Sequence, residues 1–268
     1  MHTFETPETV LVTVECPVGE VVVTTHDAPR TEVDVIALRN DDATREAVER
    51  TRVEARPRSG GHEVVVEVPR RSGSFFGREP RIRVEVRAPE GASLTFQTAS
   101  ADVTVDGRLG VVRGKTASGD VTIPNAAEIR VDTASGDLRI GDVAGAAQLR
   151  SASGDIKAGT VGGPLDAAVV SGDLRVASAP LGGSAAAVSG DIELGSVREG
   201  ELVVRTVSGD VTVGVRQGSR VHVDVSTVSG DLKSELDLTD VEADTEGPLV
   251  DVRGKTVSGD LRLKRATA

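Results

Sequence analysis

Eight aspartates, each preceded by Ser-Gly, recur along the C-terminal two thirds of the chain and could in principle do chemistry. They are Asp120, Asp137, Asp155, Asp173, Asp191, Asp210, Asp231 and Asp260, and a weaker copy of the unit ends at Asp102. A row of carboxylates can bind Ca²⁺, which takes six to eight oxygen ligands. Two carboxyl groups at a defined separation can instead hydrolyse a glycosidic bond. The spacing of the aspartates distinguishes between these possibilities.

The spacing does not fit a calcium site. The calcium-binding β-roll repeats Gly-Gly-x-Gly-x-Asp every nine residues, whereas these aspartates are 17 to 21 residues apart, with one interval of 29 before Asp260. Gly adopts positive φ in turns, and Asp or Ser side chains accept backbone N–H groups there. The pattern therefore favours a structural turn, with Arg139, Lys157 and Arg175 moderating the repulsion between carboxylates. We expect no metal and no other cofactor.

Catalytic motifs are also missing from the sequence. A uniform row of carboxylates singles out no acid and base, so a carbohydrate-active β-helix enzyme is kept only as an alternative function. The tripeptides at 114–116 and 254–256 read Gly-Lys-Thr, but Leu109 and Leu249 stand where a phosphate-binding loop needs Gly. The four histidines are scattered, and no second ligand stands beside any of them. We predict a protein that is not an enzyme and has no catalytic residues.

The elements that carry the aspartates have the pattern of strands. Runs of three to five residues alternate apolar and polar side chains and are separated by turns that contain Gly, as in 129–131 and 138–140. A fixed period of about 18 residues is typical of a repeat architecture. The sequence predicts an all-β fold, a single-stranded right-handed β-solenoid (β-helix) with parallel coils. One buried column should contain Val121, Leu138, Ile156, Leu174, Ile192, Val211, Leu232 and Leu261.

The regularity changes along the chain. Residues 1–98 are rich in strands but irregular, and we interpret them as degenerate coils or a cap, with a short helix at 41–50. Residues 99–268 form the regular solenoid, with an acidic loop inserted at 238–248. An open solenoid end would expose a sheet edge, which is why terminal repeats are atypical.

Composition limits the cellular locations and the kinds of partner that we expect for this chain. The net charge is −11 and the pI is about 4.9, so the acidic chain is a poor candidate for binding nucleic acid. Aromatic residues are only 1 % of the chain, which suits a narrow aliphatic core. The first residues lack the pattern of a signal peptide, and no long apolar run is present. We expect a cytoplasmic protein.

One loop departs from the repeat and is the predicted partner contact. Arg70, Arg71, Phe75, Phe76 and Arg78 place two of the four Phe residues among cations in a Gly/Ser-rich segment. Aromatic and Arg side chains are enriched in interface hot spots. The partner would be an unknown protein or a second copy of the chain, with a membrane surface as a weaker alternative. In the other interpretation, the Phe rings pack onto the solenoid as a plug.

Several segments resemble one bacterial family. They are Phe4-Glu5-Thr6-Pro7, the Val-Glu-x-Pro-x-Gly-Glu stretch at 14–20, the Phe-Phe-Gly-Arg loop at 75–78 and the Thr-Ala-Ser-Gly-Asp repeats. The chain is similar over nearly its whole length to a family of unknown function with β-strand repeats, often labelled "putative adhesin". The resemblance implies a β-solenoid, and it carries over no catalytic residues because none are established for the family. We therefore expect a scaffold, binding or self-assembly module, adhesin-like by resemblance only, with a membrane-associated envelope-stress accessory as a further alternative.

Overall fold

The computed structural model describes residues 1–69, 79–236 and 247–266. These residues form β-strands almost throughout, together with one helix, α1 (Asp42–Arg50). The strands up to residue 133 are β1 (His2–Glu5), β2 (Val10–Cys16), β3 (Glu20–His26), β4 (Arg30–Ala37), β5 (Arg52–Arg58), β6 (Gly61–Glu67), β7 (Ile82–Pro89), β8 (Ser93–Thr98), β9 (Asp102–Asp106), β10 (Arg108–Thr116) and β11 (Val121–Thr133). The later strands are β12 (Leu138–Val143), β13 (Ala147–Ser151), β14 (Ile156–Thr160), β15 (Leu165–Ser171), β16 (Leu174–Ser178), β17 (Gly183–Ser189), β18 (Ile192–Val197), β19 (Gly200–Ser208), β20 (Val211–Val215), β21 (Arg220–Ser229), β22 (Leu232–Ser234), β23 (Leu249–Ser258) and β24 (Leu261–Arg265).

The chain divides into two compact units, Met1–Arg139 and Ile140–Ala268. Successive repeats pair in parallel within each unit, because each coil supplies the crossover that a parallel pair requires. This pairing confirms the predicted all-β solenoid. The Gly-Lys-Thr tripeptides lie in β10 and β23, as strand residues.

In the first unit, the coil nearest the N-terminus is inserted between two later coils. Strand β2 pairs in parallel with both β6 and β8, and β3 pairs in parallel with both β7 and β9. Beyond them, β5 and β4 add antiparallel to β6 and β7, and β1 adds antiparallel to β4. The antiparallel strands account for the irregular sequence of this region.

Helix α1 begins where its sequence predicts. The Asp41 side chain accepts the backbone N–H of Thr44 at 2.8 Å, which is the N-cap contact expected of Asp. No helix in residues 1–69, 79–236 or 247–266 has the length and apolar content needed to cross a membrane.

In the second unit, the order of the last two repeats is reversed in space. Strand β23 lies between β19 and β21, so that Gly254 is in register with Val204 on one side and Val225 on the other. Strand β24 lies in the same way between β20 and β22. The coil of β21 and β22 is therefore the outer one, although β23 and β24 follow it in sequence.

The reversed order corrects one predicted core residue. Val121, Leu138, Ile156, Leu174, Ile192, Val211 and Leu261 are buried as expected. Leu232 was expected in the same column, but it is 46 % exposed. It lies in β22, which pairs with β24 and with no other strand among the described residues. The predicted insertion at 238–248 falls mostly on residues 237–246, which lie outside the described residues.

Candidate functional site

The aspartates form a hydrogen-bonded ladder at the Ser-Gly-Asp corner of the coils. In the second unit, each Oδ1 accepts the backbone N–H of the next aspartate at 2.8–3.0 Å. The order along this ladder is Asp155, Asp173, Asp191, Asp210, Asp260 and Asp231. In the first unit, Asp102 accepts from Asp120 at 2.9 Å and Asp120 accepts from Asp137 at 3.0 Å. The carboxylates therefore join neighbouring coils, in addition to turning the chain.

Cations neutralise part of this ladder. Arg139 donates to Oδ2 of both Asp120 and Asp137, each at 2.9 Å, and Arg175 donates to Oδ2 of Asp173 at 2.7 Å. The backbone N–H of Asp137, assisted by Arg139, holds the pKa of Asp120 below its usual value. Lys233 donates to Oδ2 of Asp260 at 2.8 Å and lowers the pKa of that carboxyl.

The aspartates accept backbone N–H groups from the neighbouring coil and not, as predicted, from their own turn, and two of the three predicted basic residues, Arg139 and Arg175, contact them. Oδ1 of each carboxylate from Asp155 to Asp260 in this order already accepts a backbone N–H, and Oδ2 of Asp173 and of Asp260 accepts from a cation, so few oxygens of the row are left for the six to eight ligands that Ca²⁺ takes. Within the described residues, no three His, Cys, Asp or Glu side chains are grouped as a metal would require.

The corner has two forms, and the residue before Ser distinguishes them. Where the sequence is Thr-Ala-Ser-Gly-Asp in the first unit, the Gly N–H donates to the Thr hydroxyl three residues earlier. Gly119 donates to Thr116 at 3.0 Å, and Gly136 donates to Thr133 at 2.9 Å. The strand ends at that Thr, and the next residues turn.

Where Val replaces Ala, the strand continues for two more residues. Strands β15, β17, β19, β21 and β23 all run to the Ser, and the following Gly has φ between +134° and +148°. The branched side chain of Val favours the extended backbone, whereas Gly readily adopts positive φ. The Thr hydroxyl then loses its partner, so that Thr206 and Thr256 keep buried hydroxyls with no hydrogen bond in the described structure.

This second form exposes a row of valines on the second unit. The valines are 43–78 % exposed and occupy the same register position in adjacent strands. We call them the valine row; in spatial order they are Val170, Val188, Val207, Val257 and Val228. At about 4.8 Å per strand, the row is roughly 20 Å long. Single exposed aliphatic residues are ordinary on a protein surface, whereas an aligned set of five is not.

Two cations flank the valine row. Arg205 and Lys255 are exposed, directly paired in register, and lie two residues before Val207 and Val257. Neither makes an ion pair with any residue that the structure describes. Like charges directly opposite each other on a sheet are destabilising. We call Arg205 and Lys255 the cation pair, and their arrangement favours an anionic neighbour.

A cleft of about 500 Å³ lies in the first unit, and two of the three acids that line it, Glu20 and Asp102, are already engaged. Glu20 forms an ion pair with Arg83 at 2.7 Å, and Asp102 accepts the N–H of Asp120.

Burial raises the pKa of the Cys16 thiol to about 12, which removes it as a nucleophile near neutral pH.

The predicted partner contact cannot be placed. Arg70, Arg71, Phe75, Phe76 and Arg78 all lie outside the described residues. The valine row was not predicted from the sequence. Its signal is the change from Ala to Val before Ser-Gly-Asp, first seen at Val170.

Comparison with known proteins gives one family match. The model of the family Toastrack DUF4097 matches residues 24–264. No curated protein matches the sequence.

Solved structures that are similar to the chain include three from different bacteria. A "putative adhesin" from Parabacteroides distasonis is 14 % identical, with 98 % of this chain and 95 % of that chain covered and a TM-score of 0.47. A "putative adhesin" from Bacteroides fragilis is 11 % identical, covers 97 % and 95 %, and has a TM-score of 0.44. A "putative cell adhesion protein" from Clostridium sporogenes is 10 % identical, covers 96 % and 93 %, and has a TM-score of 0.26. Likenesses this distant leave the ligand of this chain open.

Proposed function

The chain belongs to the Toastrack family DUF4097, as its repeats indicated, and we propose that it is a non-enzymatic β-solenoid acting as a scaffold or binding module. The contact surface in this proposal is the valine row together with the cation pair. An adhesin-like role is one form of such binding.

The exposed valine row is the observation that carries this proposal. The strands that follow each corner in the second unit present polar side chains outward, among them Lys157, Arg175, Glu193 and Thr212. The valine row is different, since five aliphatic side chains line up without a polar one between them. A surface that only had to remain soluble would not need this alignment.

The engaged acids support a role without catalysis. The ladder carboxylates are bonded to backbone N–H groups, and two of the acids lining the first-unit cleft are held by Arg83 or by a backbone N–H. A glycosidase needs one carboxyl group with a raised pKa beside a second carboxylate. The contact predicted at Phe75 and Phe76 remains a separate prediction, because these two residues lie outside those that the structure describes.

Site-specific crosslinking tests the proposal. A photoreactive side chain replaces Val188 in the valine row or, as a matched control, Glu193 on the following strand of the same coil. Illumination in an extract of the native host should give discrete crosslinked products at position 188 and none at 193. Equal yields at the two positions, or none at either, would contradict a binding role for the valine row. The same probe at position 76 tests the predicted loop independently.

A further inference from the structure

We propose that the occupant of the valine row is a second copy of this chain, giving a symmetric dimer through this face. The inference rests on the proposed function and deepens it by naming the partner.

The arrangement of charges across the valine row is self-complementary. Along one strand and its corner the order is Arg205, Val207 and Asp210, so the cation precedes the valine on β19 and the carboxylate lies at the corner beyond it. The adjacent strand repeats this order with Lys255, Val257 and Asp260. A twofold axis parallel to the row would bring each valine opposite its own counterpart. The same operation places the cation side of one chain over the acid side of the other.

Among the residues that the structure describes, the charged groups that would meet have no such partner within one chain. Arg205 makes no ion pair, and Asp210 makes none either among the described residues. Oδ1 of Asp210 accepts the N–H of Asp260 at 2.9 Å, which leaves Oδ2 for a second donor. Asp260 is already bonded to Lys233 at 2.8 Å. Arg205 and Asp210 are therefore the pair that a second copy would join, with Lys255 one strand spacing away as a further cation.

The valine row suits a flat contact with another sheet. At the register position that carries Arg205 and Lys255 on two strands, β15 and β17 carry the small, half-buried Ala168 and Ala186, so a facing row can approach closely there. Valine has few rotamers to lose on burial, which keeps the entropic cost of ordering the contact low. A two-fold contact uses the same patch on both chains, which the alignment of identical residues provides.

The small area of the valine row limits the expected affinity of the dimer. A stable interface buries about 800 Å² on each partner, and a row roughly 20 Å long supplies only the centre of such a contact. We therefore expect association with a dissociation constant of about 10 μM.

Sedimentation equilibrium of the full chain, from about 1 μM to about 1 mM, tests the dimer. The double variant Val188→Thr with Val207→Thr keeps the shape and β preference of valine but adds hydroxyls, and it should weaken association at least about tenfold. The control Leu181→Thr changes an exposed aliphatic residue away from the valine row and should leave association within about twofold. Thermal melts check that each variant folds. A monomer throughout this range, or a dimer insensitive to the valine changes, would overturn the proposal.

The charge contact has its own test. Asp210→Asn keeps an oxygen for the Asp260 N–H and removes the charge, and Arg205→Gln removes the cation. Each should weaken the dimer about threefold to tenfold, and the double variant should be little weaker than either single one, because both remove the same contact. Losses that simply multiply would overturn the twofold arrangement.

The two proposals fail in different ways. If the purified chain is a monomer but position 188 still crosslinks to a different protein in host extract, the dimer is wrong and the binding role stands. If position 188 gives no product and the chain is a monomer, both are wrong.

Discussion

The backbone N–H of Asp191 donates a hydrogen bond to Oδ1 of Asp173, its counterpart one coil away, at 3.0 Å. The acceptor therefore belongs to the neighbouring repeat and not to the turn that contains the donor. Because the contact recurs at nearly every coil, the aspartates fix the register between repeats. The structural role of the aspartate ladder follows from this hydrogen bond between coils.

Removing one carboxylate from the ladder should show this role. Asp173→Ala removes the acceptor of the Asp191 N–H and should lower the free energy of unfolding by about 0.5–1.5 kcal/mol, the usual net value of one hydrogen bond. Asp173→Asn keeps an acceptor oxygen and loses mainly the contact with Arg175, so it should cost less than about 1 kcal/mol. Urea denaturation measures both. Equal losses would show that charge, and not the N–H acceptor, makes the contribution.

The same ladder should make the protein sensitive to acid. The pKa values of Asp120 and Asp260 are lowered in the folded chain, by the Asp137 N–H and by Lys233 respectively. A lowered folded pKa gives stability that is complete above the unfolded value of about 3.9 and is lost as the pH falls through the folded value. The urea midpoint should stay constant from neutral pH to about 5 and fall below about 4. In Asp120→Asn this fall should be shallower, and an unchanged profile would contradict the assignment.

The inward and outward sides of one coil should respond differently to truncation. Ile192→Ala removes a buried side chain and should cost about 2–5 kcal/mol, because it leaves a cavity in a packed interior. Val188→Ala changes an exposed residue of the valine row and should cost less than about 1 kcal/mol. Unfolding of the monomer at low concentration measures both. A loss at Val188 as large as that at Ile192 would mean that the outward position is part of the core.

The sequence was enough to predict the coil and the burial of its inward-facing side chains. The alternation at Val121, Leu138 and Ile192 predicts burial, because a period of two allows one face only. It did not predict the order of the last two repeats. Thr-Val-Ser-Gly-Asp-Leu occurs at both 227–232 and 256–261, so either segment satisfies the same neighbours locally. The choice between them depends on contacts along whole strands, which a local pattern does not contain.

The valine row was missed for a related reason. An exposed Val before Ser-Gly-Asp has the appearance of an ordinary strand residue, and its alignment with Val188 or Val207 requires the register of several coils. The parallel register that aligns the aspartates also aligns the valines three residues before them.

Calcium should not stabilise the protein. Most of the ladder carboxylates accept a backbone N–H through Oδ1, and several of the second oxygens accept from Arg or Lys. Thermal midpoints measured with a chelator and with millimolar calcium should agree within about 2 °C. If calcium, but not magnesium, reproducibly raises the thermal midpoint by several degrees, the structural interpretation of the aspartate ladder is overturned.

The two forms of the corner predict opposite effects on stability for the same substitution, Thr to Val. Thr116→Val removes the hydroxyl that accepts the Gly119 N–H at 3.0 Å, so a buried donor loses its partner and stability should fall by about 1–3 kcal/mol. Thr206 is also buried, but its hydroxyl has no partner in the described structure. Thr206→Val replaces an unbonded polar group by a methyl of similar size and should raise stability by about 1 kcal/mol. Both variants keep a branched side chain suited to a strand, so the comparison isolates the hydrogen bond. If Thr206→Val is as destabilising as Thr116→Val in urea denaturation, the hydroxyl of Thr206 has a partner such as bound water, and the two corners do not differ in the way that the residue before Ser predicts.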